Sequence, residues 1–428
     1  MYNRRLVDVR DGSLYDLHSV YAGYVLRVTA SYALWHEQPW GNYLKSFSEF
    51  LSFGWPVVTV TSSATGKSHV ATWDERIVAF REMITRRYGY SFPRINDSVA
   101  VPVPVVEVGQ QTERKIFNIE NYNQLHATLA RVQLAAMKTR VENGVPEAIR
   151  ELWDAKDKTF LSIDFEWSEQ DPSLILEWGF AYMRCSFLNL KGVWPPVPEN
   201  NYGEGHIVVS EYADEVRNKY RPNYPWTYAF GESSVSPRHN LPTIIQAIIN
   251  SLASPDSDTV VNDLVLVAHG VYGDLQKLEE MNIDIPSNVL VLDIATYEKQ
   301  LYRSGQRGIK PMKLADGRAR RDHDMLKLET LLGTLGVDVR CQLHNAGNDA
   351  YMGLLALQLL FDPDNTVVPQ QRRKQAKQKA VKSAGRGQSS HGGAVQCAPS
   401  GRRSPEYLTH RTGVLIAEPA IDIWEYDL

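Results

Sequence analysis

The spacing of apolar and polar positions changes period along this chain, and the changes mark out its elements. In FLSIDFEW, residues 160–167, apolar and polar positions follow the two-residue period of a strand, which places Asp164 and Glu166 on one face. Comparable runs predict strands over 174–184, 206–212, 264–270 and 289–296, and helical spacing predicts helices over 241–252, 274–281, 325–333 and 348–361. Three strands followed by strand–helix alternation point to an α/β domain with a mixed sheet over residues 156–362. The stretch 213–240, rich in Pro, Tyr and Asn, interrupts the pattern as a loop insertion or flap near a site.

Upstream, residues 1–155 read as a separate α+β region with no repeat. PVVTV from Pro56 is a strand, and TWDE sets Thr72 and Glu75 as a capping box ahead of Ile77, Val78, Phe80, Met83 and Ile84. A second helix is expected from Tyr122 to about Val141. VPVPVVEV from Val101 is an extended edge, because its prolines cannot donate to a ladder. TSSATGKS, from Thr61, ends like a phosphate-binding loop but has Thr61 where that loop needs glycine, so an ordinary polar turn is expected.

From Pro363 the composition shifts. QRRKQAKQKAVKSAGRGQSSHGG lacks the apolar residues that offset the entropy of ordering a backbone, so the basic tail, 363–428, is expected to be mostly disordered. Its terminal GVLIAEPAIDIWEYDL is an aromatic segment suited to fold back on the chain or to dock on a partner. The overall charge of -4 conceals ten Lys/Arg against one acid between Arg372 and Arg411, which leaves about -13 elsewhere. The tail is suited either to neutralising phosphates or to acting as an import signal or solvated linker.

Cys185, Cys341 and Cys397 form no CxxC pair, which argues against a disulfide framework and a zinc site. The start, MYNRRLVDVRDG, is too charged for a signal peptide, and no apolar run approaches the roughly 20 residues that span a bilayer. A cytoplasmic or nuclear protein without a membrane partner is expected.

The chemistry starts from Asp164 and Glu166. Two ionised carboxylates a few Å apart repel by several kcal/mol at an effective dielectric of about 20, so a proton or a cation must sit between them. All-oxygen ligands favour Mg²⁺ or Mn²⁺ over zinc. LVLVAHGVYGDLQKL, from Leu264, adds a strand, a turn and Asp274 in the first turn of a helix; CQLHNAGNDAYMGLLALQLL, from Cys341, adds His344 and then Asp349 opening an apolar helix. Small residues at helical spacing after Asp349 turn it inward. His-x4-Asp also occurs at His69 and Asp74, outside this order and context.

In that order, SIDFEW, AHGVYGDL and HNAGNDA resemble the three motifs of the DEDDh subgroup of DnaQ-like 3′ to 5′ exonucleases, over residues 156–362, and WGFAY after Glu177 resembles the family's second strand. Through HNAGNDA the chain is most similar to fungal Gfd-type and argonaute-associated exonucleases. The resemblance implies a ribonuclease H-like fold, with a mixed, mostly parallel five-stranded sheet flanked by helices. It also implies that Asp164, Glu166, Asp274 and Asp349 hold two Mg²⁺ or Mn²⁺ ions, with His344 as general base, releasing nucleoside 5′-monophosphates. Gly270 stands where many members have Asn, which bears on substrate positioning, and His269 is expected to be a packed, hydrogen-bonded residue. The partners implied are single-stranded RNA or DNA and an RNA-silencing or mRNA-handling protein. The competing expectation is a catalytically silent adaptor that binds nucleic acid or protein through the same fold. Neither RNA against DNA nor the oligomeric state is legible in these residues.

Overall fold

The computed structural model describes residues 5–6, 14–62, 66–94, 105–106, 112–314 and 317–369. The expected basic tail beyond these, and all of VPVPVVEV except Val105 and Val106, lie outside the described residues. Two sheets organise the chain. The first is antiparallel, with strands β1 (Arg5–Leu6), β2 (Leu14–Asp16), β3 (Trp55–Ser62), β4 (Ser68–Trp73), β5 (Val105–Val106) and β6 (Thr112–Ile116) in the order β1-β6-β3-β4-β2, and β5 pairing with β3. Its core is aromatic, built on Trp40, Trp55, Tyr24, Phe50 and Phe80.

Three local expectations for this region are corrected. Thr72 ends in β4 and donates its hydroxyl to the Pro56 carbonyl at 2.8 Å, so the helix Asp74–Tyr88 starts without the Thr72 cap. The second helix is two, Ile119–His126 and Leu129–Glu142, parted at Ala127 and Thr128, where the Thr128 hydroxyl turns back to the Leu125 carbonyl. The GKS stretch joins antiparallel strands β3 and β4, with no helix to aim amides at a phosphate.

The second sheet comprises β7 (Thr159–Trp167), β8 (Ile175–Arg184), β9 (Gly203–Val209), β10 (Ser233–Ser236), β11 (Leu264–Ala268) and β12 (Leu290–Asp293) in the order β10-β9-β8-β7-β11-β12. The pairs β7–β8 and β8–β9 are antiparallel and the other three are parallel. This is the expected mixed α/β sheet of five strands, extended at one edge by β10, which lies inside the expected 213–240 loop. The strand expected over 289–296 stops at Asp293, because the Asp293 carboxylate accepts the Ala295 N–H at 3.0 Å and opens the helix Ile294–Arg303.

The alternation in β7 divides its residues between two cores. Leu161, Ile163 and Phe165 pack with helix Leu241–Leu252. Phe160 packs on the other face with helix Pro146–Ala155 and the closing helix Ala346–Phe361. On that same face Asp164 is paired across the ladder with Gly179, and the start of the closing helix crosses directly over it. A Cβ at residue 179 would lie 2.1 Å from the carbonyl carbon and oxygen of Ala346. Gly179→Ala is therefore expected to cost about 3 kcal/mol or more, because backbone rather than a mobile side chain would have to move. Thermal melting of the purified variant measures it, and an unchanged melting temperature would contradict this packing.

Candidate active site

The closing helix brings its first turn over β7 and β8, and the predicted residues gather beneath it. Asp164, Glu166, Asp274, His344 and Asp349 all line one cleft of about 990 Å³. Each acid arrives by a different local device. Asp164 and Glu166 stand two apart on β7, just before a register shift between Glu166 and Trp167. Strand β11 pairs with β7 only as far as Ser162, and beyond it the Phe165 N–H donates to Asp274 Oδ1 at 3.1 Å, which draws in the helix Tyr272–Glu280. Asn345 caps the closing helix by accepting the Asn348 N–H, and Asp349 Oδ2 accepts the His344 N–H at 2.9 Å.

That last bond secures a left-handed residue: His344 has φ 62°. A side chain larger than glycine rarely adopts this conformation, and where it does the surroundings must hold it there. Its Nδ1 lies 3.8 Å from Glu166 Oε1, with the His344 side chain half exposed. Glu166, His344 and Asp349 each offer a ligand atom, all within 4.8 Å of one another.

Electrostatics test whether a cation fits. Asp164 Oδ2 and Asp349 Oδ1 are buried without a hydrogen-bond partner, which is costly for oxygens with nothing to accept from. Burial, then the neighbouring Asp349, Asp274 and Glu166, drives the Asp164 carboxyl well above its ordinary range. Burial pushes Asp274 up to about 8 and Asp349 up to about 7, with Glu166 adding to both. The nearby Glu166 carboxylate raises His344 above its usual value. Four carboxylates beside one imidazole, with two unpartnered buried oxygens, suit a hard divalent ion.

A stability consequence follows from these directions. The carboxyls are raised in the fold, so between the ordinary value near 3.8 and about 8 the folded chain holds protons that the unfolded chain has lost. Stability of the metal-free protein therefore falls as pH rises through that window, and a divalent ion, which competes with those protons, restores it. Melting with Mg²⁺ minus melting with a chelator is expected to give a larger gain at about pH 8.5 than at about pH 6. An equal gain at both would contradict a proton–cation competition here.

Other residues at the site were not predicted as such. Glu177, fully buried, sits across the ladder from Glu166, 3.0 Å from His206 Nε2, and accepts from Asn345 Nδ2 at 3.2 Å. Burial and then Glu166 push Glu177 up to about 8, and burial lowers His206 to about 4. This network fastens the start of the closing helix to β8 and β9; its one trace in the sequence is an acid inside the apolar run ILEWGFAY. His269 lines the cleft as a packed residue hydrogen-bonded to the Leu326 backbone, while its buried Nε2 has no hydrogen-bond partner. Gly270 adopts φ 85°, and a Cβ there would meet nothing within 4 Å, so the position opens onto free space.

The comparisons with known proteins bear on the part of the chain that carries this sheet and its cleft of converging acids. Residues 159–360 match the family described as DNA polymerase III subunit epsilon-like, C-terminal domain, whose model is of the DEDDh type. The Saccharomyces cerevisiae uncharacterized protein YDR514C is 26% identical over 216 residues, 50% of this chain and 43% of that protein. The Schizosaccharomyces pombe uncharacterized nucleolar protein C2C4.08 is 24% identical over 194 residues, 45% of this chain and 64% of that protein. The chain thus spans less than two thirds of both relatives. Escherichia coli exonuclease I in complex with a dA16 oligonucleotide is similar at 16% identity and TM-score 0.30, covering 48% of this chain and 42% of that one. A product-bound exonuclease I is similar at 14% identity and TM-score 0.30, covering 48% and 45%.

Proposed function

We propose that residues 156–362 act as a metal-dependent 3′ to 5′ exonuclease on single-stranded RNA or DNA, releasing nucleoside 5′-monophosphates. We assign residues 1–155 to an N-terminal region whose helix Pro146–Ala155 shares the core of the second sheet, and 363–428 to a basic tail. The observation that carries this reading is the convergence of Asp164, Glu166, Asp274 and Asp349 on one cleft beside His344, with buried carboxylate oxygens left unpartnered. Asp164, Glu166, Asp274 and Asp349 would hold Mg²⁺ or Mn²⁺. When bound, such ions lower the pKa of an attacking water and stabilise the leaving 3′ oxygen.

The chain's own contribution is orientation and proton transfer. Glu166 lies beside His344 Nδ1, which leaves Nε2 as the nitrogen free to take a proton. The Asp349 bond to the His344 N–H ties the base to a metal-holding residue, so the two move together. Among the described residues no helix is long and apolar enough to cross a membrane. The fission-yeast relative is described as nucleolar, which supports a nuclear location for this activity.

Chromatography of a reaction on unlabelled single strands tests the product. Nucleoside 5′-monophosphates that accumulate with Mn²⁺ or Mg²⁺ and cease with chelator are the expected result. Nucleoside 3′-monophosphates, or release that continues in chelator, would exclude this chemistry.

A further inference from the structure

The crossover 210–232, between the parallel strands β9 and β10 of the second sheet, carries no strand or helix and is tied by many hydrogen bonds. The Glu169 carboxylate accepts three consecutive backbone N–H groups, from Lys219 at 2.9 Å, Tyr220 at 3.0 Å and Arg221. Asn218 locks the same corner: its Oδ1 accepts the Glu169 N–H at 2.9 Å, and its Nδ2 donates to the Trp167 carbonyl at 2.8 Å. Farther on, the Tyr224 N–H donates to the His344 carbonyl, Asn345 Nδ2 donates to the Tyr224 carbonyl, and Asn348 holds both Thr227 and Ala229. The segment is thus fastened at one end to the exit of β7 and at the other to the turn that carries His344.

These bonds hold out two side chains that the fold itself does not use. Tyr220 is 83% exposed, with Lys219 Nζ 5.6 Å from its ring centre, yet it lines the cleft. Arg221 also lines the cleft, and among the described residues its guanidinium makes no ion pair or hydrogen bond. Its charge is felt at His344. The floor of the cleft is acidic, so an incoming phosphodiester needs cations above it, and Arg221 supplies one on a fixed backbone. An exposed aromatic ring on an equally fixed backbone is a platform for an unpaired base.

We propose that the crossover is the strand-holding wall of the cleft, with Tyr220 stacking on an unpaired base and Arg221 holding a backbone phosphate next to the bond to be cut. This rests on the nuclease reading and names the residues that hold the single-stranded terminus, because a base inside a duplex offers no free face. Glu169 and Asn218 are positioning residues that act through the backbone of 218–221.

Two measurements on the full-length chain test the wall. In steady-state trimming with Mg²⁺, Tyr220→Ala and Arg221→Ala are each expected to raise KM about tenfold and to change kcat by less than about twofold, whereas Tyr220→Trp keeps the KM of the unaltered protein. An unchanged KM in both alanine variants overturns the proposal. In the second, a short single strand with an iodouracil at its 3′ end is irradiated with the protein in Ca²⁺, and the adduct is mapped by peptide mass. An adduct on the peptide containing Tyr220 supports the wall even where no strand is cut, so it stands apart from the nuclease reading. Adducts confined to other peptides, including the basic tail, overturn it.

Discussion

Asp164→Asn is expected to lower strand trimming by about 10³-fold or more, while the metal-free protein melts a few degrees higher. The two readouts move in opposite directions because Asp164 serves the site at the expense of the fold. Its Oδ2 is buried without a partner, and its charged form is opposed first by burial and then by Asp349, Asp274, Glu166 and Glu177. Asparagine keeps the shape, removes the charge, and brings an amide that can donate to the neighbouring carboxylates. It also removes a ligand from the cation site. Melting in chelator and trimming in Mg²⁺ on the same preparation check both halves. A variant that melts lower would show Asp164 to be a packing residue, and one that still trims would remove it from the site.

His344→Asn is expected to lower kcat by about 10²- to 10⁴-fold with little change in melting temperature. Asparagine is the informative substitution because it tolerates the left-handed backbone at φ 62°, whereas alanine would add strain to the loss of the imidazole. The pH profile separates a base from a structural residue. The nearby Glu166 carboxylate raises His344, so the neutral form able to accept a proton accumulates only above the ordinary value of 6.5. At saturating Mg²⁺ the unaltered protein should gain activity as pH rises through that range, and His344→Asn should not. A variant that keeps the same rising limb would assign the proton transfer elsewhere.

How much of this was legible in the sequence depended on whether the signal was local. Strand β7 announced itself through alternation, and the same alternation placed Asp164 and Glu166 together. Helix 241–252 was read to the residue because its apolar stripe is uninterrupted. Asp274 and Asp349 were legible as acids opening helices after a strand or a turn. Boundaries that rest on a side chain meeting distant backbone were not legible: Thr72 reads as a cap until Pro56 is known to lie beside it, and Asp293 reads as part of a strand until it caps a helix. Glu177 was missed as a site residue for a related reason. Its role depends on lying opposite Glu166 and beside His206, and cross-strand register is set by the whole sheet. The crossover 210–232 shows the same limit, since its composition marks a flap while its hydrogen bonds to Glu169, His344 and Asn348 follow only from the fold.

The most direct test of the central claim is the direction of attack. Single-stranded RNA and DNA labelled at the 5′ end, with free or blocked 3′ ends, are incubated with the full-length protein and Mg²⁺ or Mn²⁺ and resolved by length. A ladder of 5′-labelled strands that shorten progressively, formed only when the 3′ end is free, is the predicted result. Strands that stay intact, are cut internally, or lose the 5′ label first would contradict it.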